Sequence, residues 1–411
     1  MMKKNNPVFI HSLFRTGSTY IWNKFRQHPD FYCYYEPFHQ VLADLDYRHP
    51  EVWRHDRDCT QTMRHPELTQ NYLEEYKKLL RPNRKGVPYF QKSFSFDDFC
   101  NTDKDQNPAQ EKYVAFLVRQ TEEKRALLQF NRSSLRISWF KAYFPGAIHI
   151  YLVRHPGDQF QSYLDMQVLH NLDIFLVMDL LLTGVNRQAD VFLPLAGQVP
   201  LFEYHAPLFD QERLFYSQVL SAYSTAEKYF IFYYIWFSAC LENALYADFL
   251  LSIDRLSAEP LYREEFNRFL DSGGVPDTDF TDARVKHYEK PVIGAAEMAA
   301  IEETVQSLVF KRYSDEQRIR ILSHPGICGL EYLNLDQERV KRLLARDIPV
   351  KSNLGEVFPD KYRIILNTCA GTLFKQAGQI KQLQAAQQKL QEKQPGNCGE
   401  EKSIEEDRCH E

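Results

Sequence analysis

Two hydrophobic periods alternate along this chain, and their order predicts a fold. Short runs rich in β-branched and aromatic residues stand at Val8–Ser12, Phe31–Tyr35, Tyr89–Phe94, Leu127–Phe130, Ala147–Val153 and Phe249–Ile253. Such runs, bounded by turn residues, predict strands. The run AIHIYLV is apolar at nearly every position and follows the turn Phe144-Pro145-Gly146. Near-continuous apolarity suits a strand covered by helices on both faces. Between the runs the spacing becomes helical. Ser18 to Gln27 follows a glycine turn, and Glu111 to Arg125 sets Val114, Leu117 and Val118 on one face. Asp158 to Met166 begins after Gly157, with Asp158 as a candidate cap. Strands alternating with helices predict an α/β protein of three layers, α/β/α, around a central and mostly parallel sheet.

The pattern then changes. Residues 169–224 are aromatic and proline-punctuated without a clear period, which predicts a helical insertion or lid. The most apolar stretch, Tyr229 to Ile253, contains Glu242, Asn243 and Asp248. A membrane span needs about twenty apolar residues with few or no charges, so this stretch predicts a buried helix followed by a strand. After Asp254 the chain is helical in pieces broken at Gly273-Gly274, Pro291 and Pro325-Gly326. Residues 1–350 are therefore expected to form one domain, and 351–394 a helical extension. There Ile380, Leu383 and Leu390 fall at a/d-like spacing, a short coiled coil that offers a homodimer contact. Residues 395–411 are polar and acidic and are expected to be disordered. The opening MMKKNNPVFIHSLFRTG has too short an apolar run for a signal peptide and reads as the first strand. These readings predict a cytoplasmic protein with no membrane span.

Composition narrows the partners. Fifty Lys and Arg stand against 55 Asp and Glu among 411 residues, a net charge of −5. No global basic excess is present to bind nucleic acid, so any anion site must be a local cluster. Cysteines 33, 59, 100, 240, 328, 369, 398 and 409 form no CxxC pair and no zinc-type spacing. Neither a disulfide framework nor a structural metal is expected.

The candidate chemistry starts in HSLFRTGST, residues 11–19, between a predicted strand and a predicted helix. That context places helix N-terminal amides against a bound anion. Against the pattern GxxxxGK[ST], Ser12 takes the first glycine position, Gly17 the second and Thr19 the final hydroxyl. Ser18 replaces the lysine, and the cation has moved back to Arg15. The cradle is present without the triphosphate reader, which argues for a nucleotide with a shorter tail than ATP. Past the other predicted strands stand Glu36, Lys92 to Ser95, Asn131-Arg132, Arg154 and Asp254. In open parallel sheets ligands bind at these carboxyl ends, and three arginines there suit a multiply anionic ligand.

At these residues the sequence resembles the sulfotransferase family. Arg15-Thr16-Gly17-Ser18-Thr19 matches its 5′-phosphosulfate loop, and HIYLVRHPGDQFQS gives Arg154 and Ser162 at the spacing of its 3′-phosphate motif. The resemblance covers roughly residues 7 to 260. It implies a P-loop-like fold and 3′-phosphoadenosine-5′-phosphosulfate as donor, with adenosine 3′,5′-bisphosphate as product. Arg15, Thr16, Gly17, Ser18, Thr19, Arg132, Arg154 and Ser162 are the expected donor-binding residues, and Arg15 also faces the charge that develops on the leaving 5′-phosphate. Two departures stand out: His155 occupies a position where many relatives have Asp or Asn, and the basic Arg-Lys-Gly segment of cytosolic members has only Arg284 and Lys286 as substitutes.

Glu36, in YYEPF, is the expected general base, as in carbohydrate and tyrosylprotein sulfotransferases, with His39 as its rival. Lys92 is a candidate for assisting the transferring sulfuryl group. His11 is expected to be a packed core histidine, and Asp254 a structural or substrate-facing group. The scheme requires no metal. The resemblance implies an unknown hydroxyl-bearing acceptor, carbohydrate, lipid or phenol, with the glutamate site tilting the expectation to carbohydrate. Phe202, Tyr204, His205, Phe209, Phe215 and Tyr216 are the candidate acceptor-binding rings of the lid. Two alternatives stay open: a P-loop nucleotide kinase-like enzyme, or an inactive family member acting as an interaction module.

Overall fold

Val8–His11 is buried at every position, and this strand, β1, lies at the centre of the sheet. The computed structural model describes residues 6–48, 71–171, 173–289 and 292–351, with Arg363, Asn367 and Gly371. Four more strands, β2 Phe31–Tyr35, β3 Arg125–Phe130, β4 Ile148–Val153 and β5 Phe249–Ser252, join β1 in the order β2-β3-β1-β4-β5. Every pairing is parallel: Val8 is level with Leu127 and Ile148, Tyr35 with Gln129, and Val153 with Ser252. A parallel sheet needs crossover connections and covers both its faces. Accordingly β3 and β4 are buried along their whole lengths.

The helices supply that cover. These are α1 Ser18–Arg26, α2 Pro108–Arg119, α3 Ile137–Tyr143, α4 Pro156–His170, α5 Ile174–Val185, α6 Phe209–Leu220 and α7 Thr225–Tyr246. After β5 follow α8 Ile253–Ala258, α9 Pro260–Ser272, α10 Ala295–Phe310, α11 Asp315–Leu322 and α12 Gln337–Ala345. From β1 the chain steps outward to β2, then returns through β3 and past β1 to β4. Right-handed crossovers put α1 on the face opposite α2 and α3. The sequence of rings agrees: Phe25 of α1 meets Phe280 and through it Phe266 of α9, while Phe9 of β1 meets Phe140 of α3.

Helix α7 is apolar on all sides because it packs against α3, α4, α5, α10 and α11. It is started by a capping box, with Ser224 and Glu227 satisfying each other's backbone amides. No single helix among the described residues is long and apolar enough to cross a membrane. The chain separates into two compact units, Met1–Tyr362 and Arg363–Glu411. In the second, Arg363, Asn367 and Gly371 are helical. Ile380, Leu383, Leu390 and the acidic tail lie outside the described residues.

Three expectations need correction. Tyr89–Phe94 is no strand: Tyr89 has φ 67°, and Lys92–Ser95 is a 3₁₀ turn. Its rings instead join a cluster in which Phe90 and Phe94 pack on Tyr113, and Phe94 on Phe38. Helix α2 starts at Pro108 and stops at Arg119, because Asn107 caps it by accepting from Gln110 N, and Arg125 already belongs to β3. Helix α4 is capped by the His155 ring, which accepts from Asp158 N, and not by Asp158.

Candidate active site

Strand order reverses at β1, so the loops after β1 and β3 diverge and open a crevice at their carboxyl ends. The first of these loops is the phosphate-type loop. Arg15 and Gly17 both adopt positive φ, 62° and 87°, and Gly17 is the N-cap of α1. Left-handed residues in such a turn gather amides into an anion nest, and the first-turn amides of a helix have no intrahelical acceptor. Glycine is required at residue 17: besides its φ, an added Cβ would lie 3.3 Å from the Ile253 side chain. Thr16 Oγ1 donates to Leu13 O at 2.9 Å and closes the turn. Thr19 Oγ1 and the Tyr35 hydroxyl are 2.9 Å apart.

The second loop carries Asn131 and Arg132, and they meet Glu36 from β2. Asn131 Nδ2 donates to Glu36 Oε1 at 2.6 Å, and Arg132 Nη1 to Glu36 Oε2 at 3.0 Å. Asn131 Oδ1 accepts from Ser12 Oγ at 2.6 Å, Ser18 Oγ at 3.1 Å and Gln129 Nε2 at 2.8 Å. One asparagine thus ties the carboxylate to both ends of the phosphate loop. Arg132 Nη2 donates to Gln40 Oε1 at 2.9 Å, and its guanidinium lies 5.4 Å from the Phe14 ring centre and 5.9 Å from that of Phe96. Glu36 is 7% exposed and Arg132 3%. Burial pushes the Glu36 carboxyl above its usual range, opposed by the charge of Arg132 and the hydrogen bonds of Asn131 and Arg132. Burial lowers Arg132, and Glu36 opposes that shift. A carboxylate made more basic in this way is suited to accept a proton. Glu36 itself has φ 42°, so it does not take the extended conformation that a residue before proline ordinarily adopts.

The second motif closes on the first. Arg15 Nε donates to Ser162 Oγ on α4 at 3.1 Å, and Arg154 Nη1 to Arg15 O at 3.1 Å. Arg154 Nη2 donates to Lys286 O at 2.6 Å. That carbonyl belongs to a strap, residues 284–289, held on α4 by two aspartates. Asp165 Oδ2 accepts from Lys286 Nζ at 2.9 Å and Tyr288 Oη at 2.8 Å. Asp158 Oδ1 accepts from Tyr288 N at 3.0 Å, and its Oδ2 lies 2.8 Å from His287 Nδ1. Asp158, Asp254 and His287 bring ligand-type atoms within 4.8 Å of one another. Hydrogen bonds already engage them, since Asp254 Oδ2 accepts from His155 N at 2.7 Å.

The other expected residues lie elsewhere. Lys92 Nζ donates to Ala206 O at 2.9 Å and pairs with Glu212 at 3.2 Å, so its described partners are in the 169–224 segment and not in the loop or at Glu36. His39 Nδ1 accepts from Val41 N and caps a 3₁₀ turn. His11 is buried between Ser133 Oγ, 2.7 Å, and His149 Nδ1, 3.1 Å. Burial first, then the neighbouring His149, holds it well below the usual imidazole range, as a core histidine. Arg284 is turned to the carbonyls of Thr281 and Ala283, whereas Lys286 reaches the site through its backbone. Gln40, Asp165 and Tyr288 had no sequence signal and Asp158 only one as a helix cap, because each acts on a residue far away in the chain.

No curated protein and no solved structure matches the chain significantly. Residues 7–175, which hold both loops, Glu36, Arg154 and Ser162, match the family model described as sulfotransferase family. That match, joined to the five-stranded parallel sheet and the paired anion motifs at its switch point, marks residues 7–175 as a sulfotransferase-family region.

Proposed function

We propose that this protein transfers a sulfuryl group from 3′-phosphoadenosine-5′-phosphosulfate to an acceptor hydroxyl, with Glu36 as general base. The observation that carries the reading is the chain Ser12 and Ser18 to Asn131 to Glu36, which fixes a basic carboxylate to the phosphate loop. The residues fit the donor. The left-handed turn at Gly17 offers the 5′-side nest, and Arg154 and Ser162 meet Arg15 beside it. When bound, the donor supplies a sulfuryl group activated by its anhydride bond to phosphate. Arg15 then places a fixed charge where negative charge develops on the 5′-phosphate. Thr16, Gly17, Ser18 and Thr19 hold that phosphate, and Arg154 and Ser162 take the 3′-phosphate. Each Glu36 oxygen keeps a lone pair beyond its bond to Asn131 or Arg132, and one of these takes the acceptor proton. Arg132 keeps the carboxylate aimed and charged until then.

Residues 169–224 are proposed as the acceptor lid. Lys92 anchors it through Ala206 and Glu212, and Phe209 stacks on Phe96 with ring centres 5.7 Å apart. Lys92 is thereby a lid anchor in this scheme. The test is thermal unfolding with adenosine 3′,5′-bisphosphate, set against ADP and ATP with and without magnesium. At a hundredfold its dissociation constant a ligand adds ~2.7 kcal/mol to the folded state. The bisphosphate is expected to raise Tm, and Arg154→Ala to abolish the rise. Stabilisation by magnesium-ATP alone would overturn the reading.

A further inference from the structure

Asp179 has no place in the scheme above, and its surroundings ask for one. It sits in the middle of α5, in the run IFLVMDLLLTGV, where Phe175 to Gly184 are all buried. It is 5% exposed, and its Oδ2 is buried without a hydrogen-bond partner. Buried polar atoms are almost always paired, and an unpaired one opposes folding. Burial alone drives the carboxyl well above its usual range, which favours the protonated form, able both to donate and to accept a hydrogen bond.

Its position in the helix shows where it points. Phe175, Asp179, Leu182 and Asn186 recur at helical spacing and share one face of α5. At one end of that face Phe175 meets Phe14, ring centres 5.7 Å apart, and the Arg15 guanidinium, 5.5 Å from its centre. At the other, Asn186 Nδ2 donates to Phe96 O at 2.9 Å. Phe14 and Phe96 are the two rings that flank the Arg132 guanidinium. The face therefore runs from the Arg15 loop to Phe96, and Asp179 lies on it between these two contacts. Phe175 and Leu182 are the apolar residues of this face, and Asp179 and Asn186 its polar ones.

We propose that Asp179 is a specificity-determining residue that hydrogen-bonds a second hydroxyl of an otherwise apolar, ring-bearing acceptor. The proposal rests on the sulfuryl-transfer reading. It also turns the acceptor away from carbohydrate, because a sugar would leave most of its hydroxyls against phenylalanine. A site built around one hydrogen-bonding group rejects the analogue that lacks its partner, since that group is then left buried and unpaired.

The test uses the full chain, with Asp179→Leu and Asp179→Asn, and a probe pair: a naphthol and the naphthalenediol carrying one further hydroxyl. Wild type is expected to favour the diol in kcat/KM by about 10- to 100-fold. Asn should keep part of that ratio and Leu should bring it to about one. The Leu variant should also melt higher than wild type, because it removes an unpaired buried acid; a structural role for Asp179 would lower Tm instead. The proposal is overturned by an unchanged ratio in the Leu variant, by a fall in its Tm, or by a wild type that binds the bisphosphate and turns over neither probe. A wild type that binds no bisphosphate refutes the donor reading instead, and the Tm comparison then decides the role of Asp179 by itself.

Discussion

Removing Arg132 while leaving Glu36 in place should expose how the site holds its charge. In Arg132→Leu the carboxylate, 7% exposed, loses the described cation that pairs with it and keeps only Asn131 as a hydrogen-bond donor. Breaking a buried pair by deleting one partner costs ~3–5 kcal/mol, because the survivor is left as an uncompensated charge. For a domain of this size that corresponds to a Tm fall on the order of 10 °C. The pH dependence follows from the sign of the shift. Glu36 is already raised by burial, and loss of Arg132 raises it further. The native state then binds the proton more tightly than the unfolded chain, whose glutamates titrate near about 4.3. Stability is therefore lost as pH rises from that value towards the raised native pKa, and the deficit of the variant should shrink at acid pH. In the double variant Arg132→Leu/Glu36→Gln neither charge of the pair remains, so most of the loss should be recovered. Thermal unfolding of wild type, the single variant and the double variant at neutral pH and near pH 4.5 measures all three effects. A single-variant deficit below ~1 kcal/mol at neutral pH would refute the reasoning, since that is the range of an exposed pair. So would a deficit that does not change with pH.

Other expectations follow from the same geometry. Glu36→Gln should cut turnover by roughly 10²–10⁴ with bisphosphate binding retained, and wild-type kcat/KM should fall as pH drops through a pKa above the ordinary carboxylate value, because the base works deprotonated. Rate profiles of wild type and variant with pH check both statements. Gly17→Ala should lose bisphosphate binding and lower stability by ~1–2 kcal/mol, since it forces a side chain to φ 87° against Ile253; calorimetric titration and melting measure the two. Asp165→Asn should weaken bisphosphate binding about 3- to 10-fold, because it loosens the strap whose Lys286 carbonyl holds Arg154. A dissociation constant unchanged by that substitution would remove the strap from the site.

The sheet was legible because its strands are buried on both faces, and continuous apolarity needs no partner to be seen. Tyr89–Phe94 has the same local look, but its rings pack on Tyr113 of α2 and Phe38 rather than on neighbouring strands. Local pattern cannot tell those two uses of an aromatic run apart. Lys92 was drawn into the candidate site by that error, as the residue at the end of a strand that does not exist. The loop at residues 12–19 and the Arg154–Ser162 pair were readable because each is contiguous, with its spacing written in the chain. The bridging role of Asn131 was not, since it depends on β3 lying beside β1 and on β2 lying beyond β3, a matter of topology.

The backbone at the two residues proposed to react gives that topology a purpose. Arg15 and Glu36 are both non-glycine residues at positive φ, 62° and 42°, the second immediately before Pro37. Neither conformation is locally favourable, and each costs of order 1–3 kcal/mol. Such strain persists where the surroundings over-determine it. Arg15 is held by Ser162 at its side chain and Arg154 at its carbonyl, and Glu36 by Asn131, Arg132 and the amide of His39, which donates to its carbonyl at 2.8 Å. Apart from the local His39 amide, these ties come from the ends of β3 and β4 and from α4, elements that the sheet brings together. The folded core thus imposes on Arg15 and Glu36 geometries that neither local sequence would choose. Under the proposed function, a cation aimed at a leaving group and a base aimed at an acceptor would then be in place before either substrate arrives.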